Sequence, residues 1–181
     1  MSKSYQFKSE RLGFRRWRKD DLKEFAALNA DKAVMKHFPN VLSVVQTEQF
    51  IDRLQKHYAE NGYCYFAVEV LETAEFIGFI GLAYQKYETT FAPGTDVGWR
   101  LKKAAWGKGY ATEGAKRCLV YAFDELKLAK VFAVCSIGNT KSENVMRKIG
   151  MVKMGEFKHP NLKEFPNYEK CLWYEIKNKE I

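Results

Sequence analysis

The stretch AAWGKGYATEGAKRCLVYAF, residues 104–123, places Gly107 and Gly109 in a short polar turn and then passes directly into a helical apolar pattern. Ala111, Ala115, Cys118, Leu119 and Ala122 recur at i, i+4, i+7, i+8 and i+11, the stripe of an amphipathic helix packed on a sheet. Just upstream, Pro93-Gly94 introduces TDVGWRL, a strand pattern, so the turn joins a strand to a helix. Glycines bend such a turn without a Cβ and leave consecutive N–H groups aimed at one point, and the helix N-terminus adds about half a positive charge there. That arrangement suits a pyrophosphate; the alternative is a tight connection that holds nothing. No window supplies G-x-x-x-x-G-K-[ST], and Thr112 stands where a dinucleotide fingerprint needs its third glycine, so neither nucleotide signature applies.

Outward from this turn, the chain reads as β-α-α-β-β-β-α-β-α-β-β. Phe7 to Trp17 (FKSERLGFRRW) predicts a strand, and Asp20 or Asp21 can cap the helix carrying Leu22, Phe25, Ala26 and Leu28. Ser43 or Thr47 caps a second helix with Phe50, Ile51, Leu54 and Tyr58 on one face, stopped by Asn61-Gly62. CYFAVEVL (64–71) and FIGFIGLAY (76–84) predict a hairpin. KVFAVCSI (130–137) is a buried strand, and Thr140 with Glu143 forms a capping box for a short helix with Val145, Met146 and Ile149 inward and Gly150 at its end. Two last strands, Met151 to Lys158 and Tyr168 to Ile176, flank a polar loop, HPNLKEFPN.

At 181 residues, the chain is the size of one compact domain spanning residues 1–181. A net charge of +8 suits an anionic partner without choosing among nucleic acid, acidic membrane and a phosphorylated cofactor. Cys64, Cys118, Cys135 and Cys171 are scattered in apolar stretches with no CxxC pair, so neither metal nor disulfide chemistry is expected. The charged opening residues lack the apolar segment of a signal peptide and no run approaches eighteen apolar residues, so a cytoplasmic location is expected, with no membrane or DNA partner.

VGWRLKKAAWGKGYATEGAKRCLVYAF resembles the acetyl-CoA-binding motif of the GNAT superfamily of N-acetyltransferases, usually Q/R-x-x-G-x-G/A. Gly109 and Ala111 fill the last two required places, and Trp106 stands where Gln or Arg is usual. SERLGFRRWRKDDL, FIGFIGL, SIGNTKSENVMRKIGMVKMGEF and HPNLKEFPNYEKCLWYEI are similar to the branch that acetylates ribosomal-protein alanine or serine N-termini, with Met151 replacing the usual Phe. The resemblance implies an α/β (α+β) fold. It has a mixed, mostly antiparallel sheet of six to seven strands, about four flanking helices and a V-shaped splay between central strands.

It also implies that backbone around Trp99, Arg100 and Leu101 pairs with the pantetheine arm of acetyl-CoA. Trp106, Gly107, Lys108, Gly109, Tyr110, Ala111 and Thr112 would hold the pyrophosphate. Lys102, Lys103 and Lys108 add charge there or form a solvated face. Asn139 looks like the residue that touches the cofactor arm, or else a helix cap. The usual proton donor to the departing thiolate is a Tyr, but its place is taken by Met146, which leaves Ser142 as the candidate acid; otherwise Ser142 is a first-turn serine. His159 is the candidate general base, with Asp96 or Glu69 acting through water as alternatives.

An N-terminal α-amine, with a pKa of about 8, needs less help to deprotonate than a lysine. The implied reaction is therefore acetylation of a primary amine, a peptide N-terminus first and a small amine (aminoglycoside, polyamine or amino-acid-like metabolite) second. The acceptor pocket is expected among Lys36, His37 and Phe38, Tyr84 to Phe91, and the His159 loop. A non-catalytic CoA- or RNA-binding module is a third reading, motivated by Arg15, Arg16, Arg18 and Lys19. Antiparallel edge strands leave a homodimer open.

Overall fold

The computed structural model describes residues 4–178. Eight strands form one sheet in the order β1-β2-β3-β4-β5-β6-β8-β7. They are β1 (Phe7–Lys8), β2 (Leu12–Arg15), β3 (Tyr65–Val70), β4 (Phe76–Gln85), β5 (Gly94–Leu101), β6 (Lys130–Ser136), β7 (Val152–Lys158) and β8 (Lys170–Lys177). All neighbouring pairs are antiparallel except β5 and β6. The helices are α1 (Asp21–Ala30), α2 (Val44–Asn61), α3 (Tyr110–Val120), α4 (Thr140–Lys148) and the single turn α5 (Pro166–Glu169).

Alternation along β4 separates two layers, because successive side chains leave a strand on opposite faces. Phe79 meets Phe25 of α1 and Phe50 of α2 edge-on, at 6.1 and 5.9 Å between ring centroids. Ile80, the next residue, faces Gly114 of α3, where a Cβ would overlap it and would also press on Phe14 and Leu12. The α1/α2 layer and the α3 layer therefore cover opposite faces of the sheet, and the core fills both interfaces.

Several sequence expectations need correction. The sheet has eight strands rather than six to seven, because Phe7 to Trp17 is not one strand: β1 folds back on β2 in a hairpin, pairing Phe7 with Phe14. Five helices stand in place of about four, since part of the loop HPNLKEFPN is wound, as a 3-10 turn at Pro160–Leu162 and as α5, each started by a proline. Neither Asp20 nor Asp21 caps α1: Asp21 instead takes the Arg18 N–H and two hydrogen bonds from Arg15, a charge-assisted fork that outweighs a cap.

The Thr140–Glu143 capping box is absent as well. Asn139 is the N-cap of α4, its Oδ1 accepting the Ser142 N–H, while Glu143 is drawn to the Tyr174 hydroxyl at 2.6 Å and to Arg147. Ser43 does cap α2 in a reciprocal box with Gln46, and Gly62, at φ 79°, ends that helix in the left-handed region. No helix among the described residues is long and apolar enough to cross a membrane.

Candidate functional site

The site is built around the one parallel junction in the sheet. β5 and β6 are bridged by a single pair, Asp96 with Phe132, and beyond it the strands part. The Lys102 N–H donates to the Ile77 carbonyl of the β4 side at 2.9 Å. Because hydrogen-bonding direction alternates along an antiparallel strand, Arg100 and Gly98 also turn their backbone toward β4, and Trp99 and Leu101 turn theirs into the opening. The Trp106 indole N–H takes the Leu101 carbonyl at 2.8 Å. The Trp99 N–H and C=O and the Leu101 N–H remain directed into the V.

The mouth of the V lies at the C-terminal ends of β5 and β6, where α3 and α4 begin. Gly107 and Gly109 adopt φ of 74° and 80°, with Gly109 as the N-cap of α3, and nothing lies within 4 Å of where a Gly107 Cβ would stand. The turn is braced from outside by Glu113, which binds Ser9 Oγ at 2.7 Å and both the backbone and the guanidinium of Arg11, whose charge stacks on Tyr110 at 4.7 Å. Lys102 is engaged by Glu75, whereas Lys103 and Lys108 are exposed.

Across the mouth, Lys141 of α4 sits 4.1 Å from the Trp106 ring centroid, so the glycine turn and the start of α4 are in contact. Asn139 and Ser142 lie together in that first turn. Met146, one turn on, is 1% exposed and belongs to the core, so no proton donor stands there. Ser136, at the end of β6, carries a buried hydroxyl with no hydrogen-bond partner. A cradle of glycine backbone, an unpaired strand edge and an orphaned hydroxyl at one mouth fit a ligand with phosphate at one end and amides along its length.

The closed end of the V presents different chemistry on the α1/α2 face, where alternate β5 residues Asp96, Gly98 and Arg100 align. Tyr65 of β3 donates its hydroxyl to Asp96, 2.6 Å from Oδ1 and 2.8 Å from Oδ2, and Gln85 Nε2 donates to Oδ2 at 3.2 Å. Burial pushes the Asp96 carboxyl up to about 7, with the Tyr65, Gln85 and Ala83 hydrogen bonds holding it from going higher. The Tyr65 ring stacks on Phe79 at 5.1 Å and covers Gly98, where a Cβ would meet the ring at 3.0 Å. Tyr65 also lies close enough to Arg100 to act on its charge.

His159 reaches the same end of the V through Tyr87. Its ring is 4.7 Å from that of Tyr87, which in turn approaches Phe132, the bridge partner of Asp96, at 6.4 Å. His159 Nδ1 accepts the Asn161 N–H, so a neutral ring carries its proton on Nε2, and burial lowers its pKa. Glu69 lies two strands from β5, in a network with Arg15 (2.7 Å) and Tyr5 (3.0 Å).

The structure thus gathers Trp99, Leu101, Trp106 to Thr112, Asn139 and Ser142 around one mouth, and Asp96 and His159 near one apex. It turns the Arg100 backbone toward β4 and its side chain to the α1/α2 face. Sequence reasoning misses Tyr65 and Asn29 and holds Gln85 only as part of the Tyr84 to Phe91 stretch. The available signal was the period-two placement of Asp96, Gly98 and Arg100 in an otherwise apolar strand, which puts an acid and a base on one buried face.

The family described as an acetyltransferase (GNAT) domain matches residues 11–152. An uncharacterized N-acetyltransferase of Bacillus subtilis, YnaD, is 31% identical over 153 residues, 83% of this chain and 84% of the relative. The crystal structure of a GNAT-family acetyltransferase from Bacillus anthracis superposes with a TM-score of 0.77 at 29% identity, covering 94% of this chain and 96% of the other. Two further structures share the fold at a TM-score of 0.72. One is a spermidine N-acetyltransferase from Vibrio cholerae in complex with CoA and spermine, at 23% identity and coverages of 92% and 95%. The other is a ribosomal-protein-S5-alanine acetyltransferase from Vibrio fischeri, at 20% identity and coverages of 96% and 97%.

Proposed function

The chain belongs to the GNAT acetyltransferase family, and from that premise we propose that it acetylates a primary α-amine, that of a peptide N-terminus or an amino-acid-like acceptor, with acetyl-CoA as donor. The single observation that carries this reading is the V between β5 and β6, which joins a glycine cradle at its mouth to a buried carboxyl at its apex. Residues 106–112 hold the pyrophosphate through backbone N–H groups. The Trp99 N–H and C=O and the Leu101 N–H take the pantetheine amides as a missing strand would, and Asn139 contacts the same arm.

When bound, the donor supplies a thioester whose carbonyl carbon the amine attacks as the carbon–sulfur bond breaks. Asp96 takes the proton that the attacking ammonium must lose; a carboxyl near 7 is matched to that task at neutral pH. Ser142, whose backbone is fixed by Asn139, presents its hydroxyl to the departing sulfur. His159, with its Nδ1 occupied, forms the wall beside Tyr87 and offers an Nε2 proton as a donor.

The two Vibrio enzymes share the fold and differ in acceptor, so the fold alone leaves the acceptor open. The floor favours an α-amine over a polyamine: Arg100 lies on it, and Lys36 and Lys141 both act on His37 at the rim. A polycation there would meet like charge. Thermal denaturation with and without acetyl-CoA tests the donor, and acetyl-CoA at a hundred times its Kd should stabilise the fold by about 2.7 kcal/mol. Thiol release with α-amine peptides, amino acids and spermidine then tests the acceptor, with Ser142→Ala expected to lower kcat more than acetyl-CoA affinity. Absence of stabilisation sinks the donor assignment, and a preference for spermidine sinks the acceptor class.

A further inference from the structure

Arg100 is a partly buried charge with an unusual set of partners. Its Nη1 donates to Asn29 Oδ1 at 2.7 Å, and Asn29, fully buried, is itself tied to Thr47 Oγ1 at 3.3 Å. Its guanidinium lies 4.2 Å from the centroid of Phe38 and 5.5 Å from that of Phe79. The Nε is shielded from solvent and unpartnered, and Nη2 makes no hydrogen bond among the described residues. No carboxylate pairs with it among the described residues. Burial alone draws its pKa down to about 10, and the only group acting the other way is Tyr65.

The contrast within the chain is informative. Arg15, which is more deeply buried, satisfies its charge with Asp21 and Glu69 at 2.6 and 2.7 Å. A guanidinium held away from water without a counter-ion is costly, which makes this one a candidate partner for an anion. Nη2, which carries no hydrogen bond, is the donor left to meet a carboxylate oxygen, while Nε is enclosed by the packing around it. One guanidinium balances one negative charge, which fits a carboxylate. Phe38, 39% exposed, is the outer wall of this place and stands on the segment between α1 and α2.

We propose that Arg100 is a specificity residue of the acceptor pocket and that the acceptor carries a carboxylate, bound by the guanidinium through Nη2 while its amine faces the Asp96 end of the same strand. This rests on the function proposed above and narrows its substrate class to acceptors with both an amine and a carboxylate: amino acids, short peptides or acidic side chains next to an N-terminus. The Asn29 contact aims the guanidinium, and Phe38 excludes water from the pair.

Matched probes test it on the protein saturated with CoA: glutamate, an alanyl-glutamate dipeptide and an ω-amino acid, each against its amide counterpart. The carboxylates should raise the melting temperature and the amides should not, and Arg100→Met should abolish the difference. In thiol-release assays the carboxylate form of an accepted amine should have a KM roughly ten- to a hundredfold below that of its amide, the loss expected for a charge-assisted pair. Arg100→Met should raise the KM of the carboxylate at least about tenfold more than that of the amide.

Arg100→Lys, which keeps the charge and not the fork, guards against a folding defect and should retain a smaller carboxylate preference. A purely structural arginine would move both KM values together and overturn the proposal, as would equal stabilisation by acids and amides. Acetylation of amines with no carboxylate preference would overturn this inference and leave the proposed function standing. Failure of acetyl-CoA to stabilise the protein would fall on that function instead.

Discussion

Asp96 is the residue at which the site's chemistry concentrates, because its environment inverts the ordinary behaviour of a carboxylate. Burial raises its folded pKa to about 7, above its unfolded value, so the native state holds a proton that the unfolded state has lost between roughly pH 4 and 7. Stability therefore falls as pH rises through that window, and activity that needs the deprotonated base rises. Asp96→Asn should remove both slopes: thermal denaturation should show the variant gaining on the native protein by a few kcal/mol between pH 5 and 8. The ascending limb of kcat/KM near pH 7 should disappear. Tyr65→Phe, which removes the hydroxyl that stabilises the ionised form, should shift the limb upward. A limb that survives Asp96→Asn would return the base to His159. The sequence made Asp96 visible as a candidate, but the tyrosine that tunes it comes from a strand 31 residues away and carries no local signal.

At the scale of elements, the turn before α3 was the most legible part of the chain, because its information is local: two glycines, a strand before them and an apolar stripe after. Both glycines do adopt left-handed φ, the conformation that a side chain disfavours by about 1 kcal/mol or more. Gly109→Ala should therefore lose that stability and also weaken the protection by acetyl-CoA, since the strained N-cap is part of the cradle. Gly62, at φ 79° with nothing within 4 Å of its Cβ position, provides the comparison at the end of α2. Gly62→Ala should cost a similar amount in chemical denaturation and leave the acetyl-CoA effect intact; equal loss in both would remove the cradle from the binding site. The capping of α4 was less legible. Thr140 and Glu143 match a capping box in spacing, yet Tyr174 draws Glu143 away from the backbone from β8, a partner that spacing cannot anticipate.

Over the whole molecule, the decisive feature is an incomplete sheet. Helix and strand order follow from periodicity, and the layers follow from alternation along β4. The splay of β5 from β6 follows from neither, since both strands read as ordinary buried segments; it was expected only from resemblance. Its consequence is a central ladder left open along the β6-facing edge of β5. If acetyl-CoA supplies the missing strand, hydrogen exchange should register it one residue at a time. The Trp99 and Leu101 amides, which face the V, should exchange faster than those of Gly98 and Arg100, which already face β4. Acetyl-CoA should slow the first pair strongly and the second pair little, and the amides of residues 107–112 should slow with the first. The same alternation would be lost if the donor bound elsewhere on this basic surface, because nonspecific attraction of a phosphorylated ligand to a chain of net charge +8 would protect no particular face of β5. The pattern thus distinguishes a ligand that completes the sheet from one that is merely attracted to the protein.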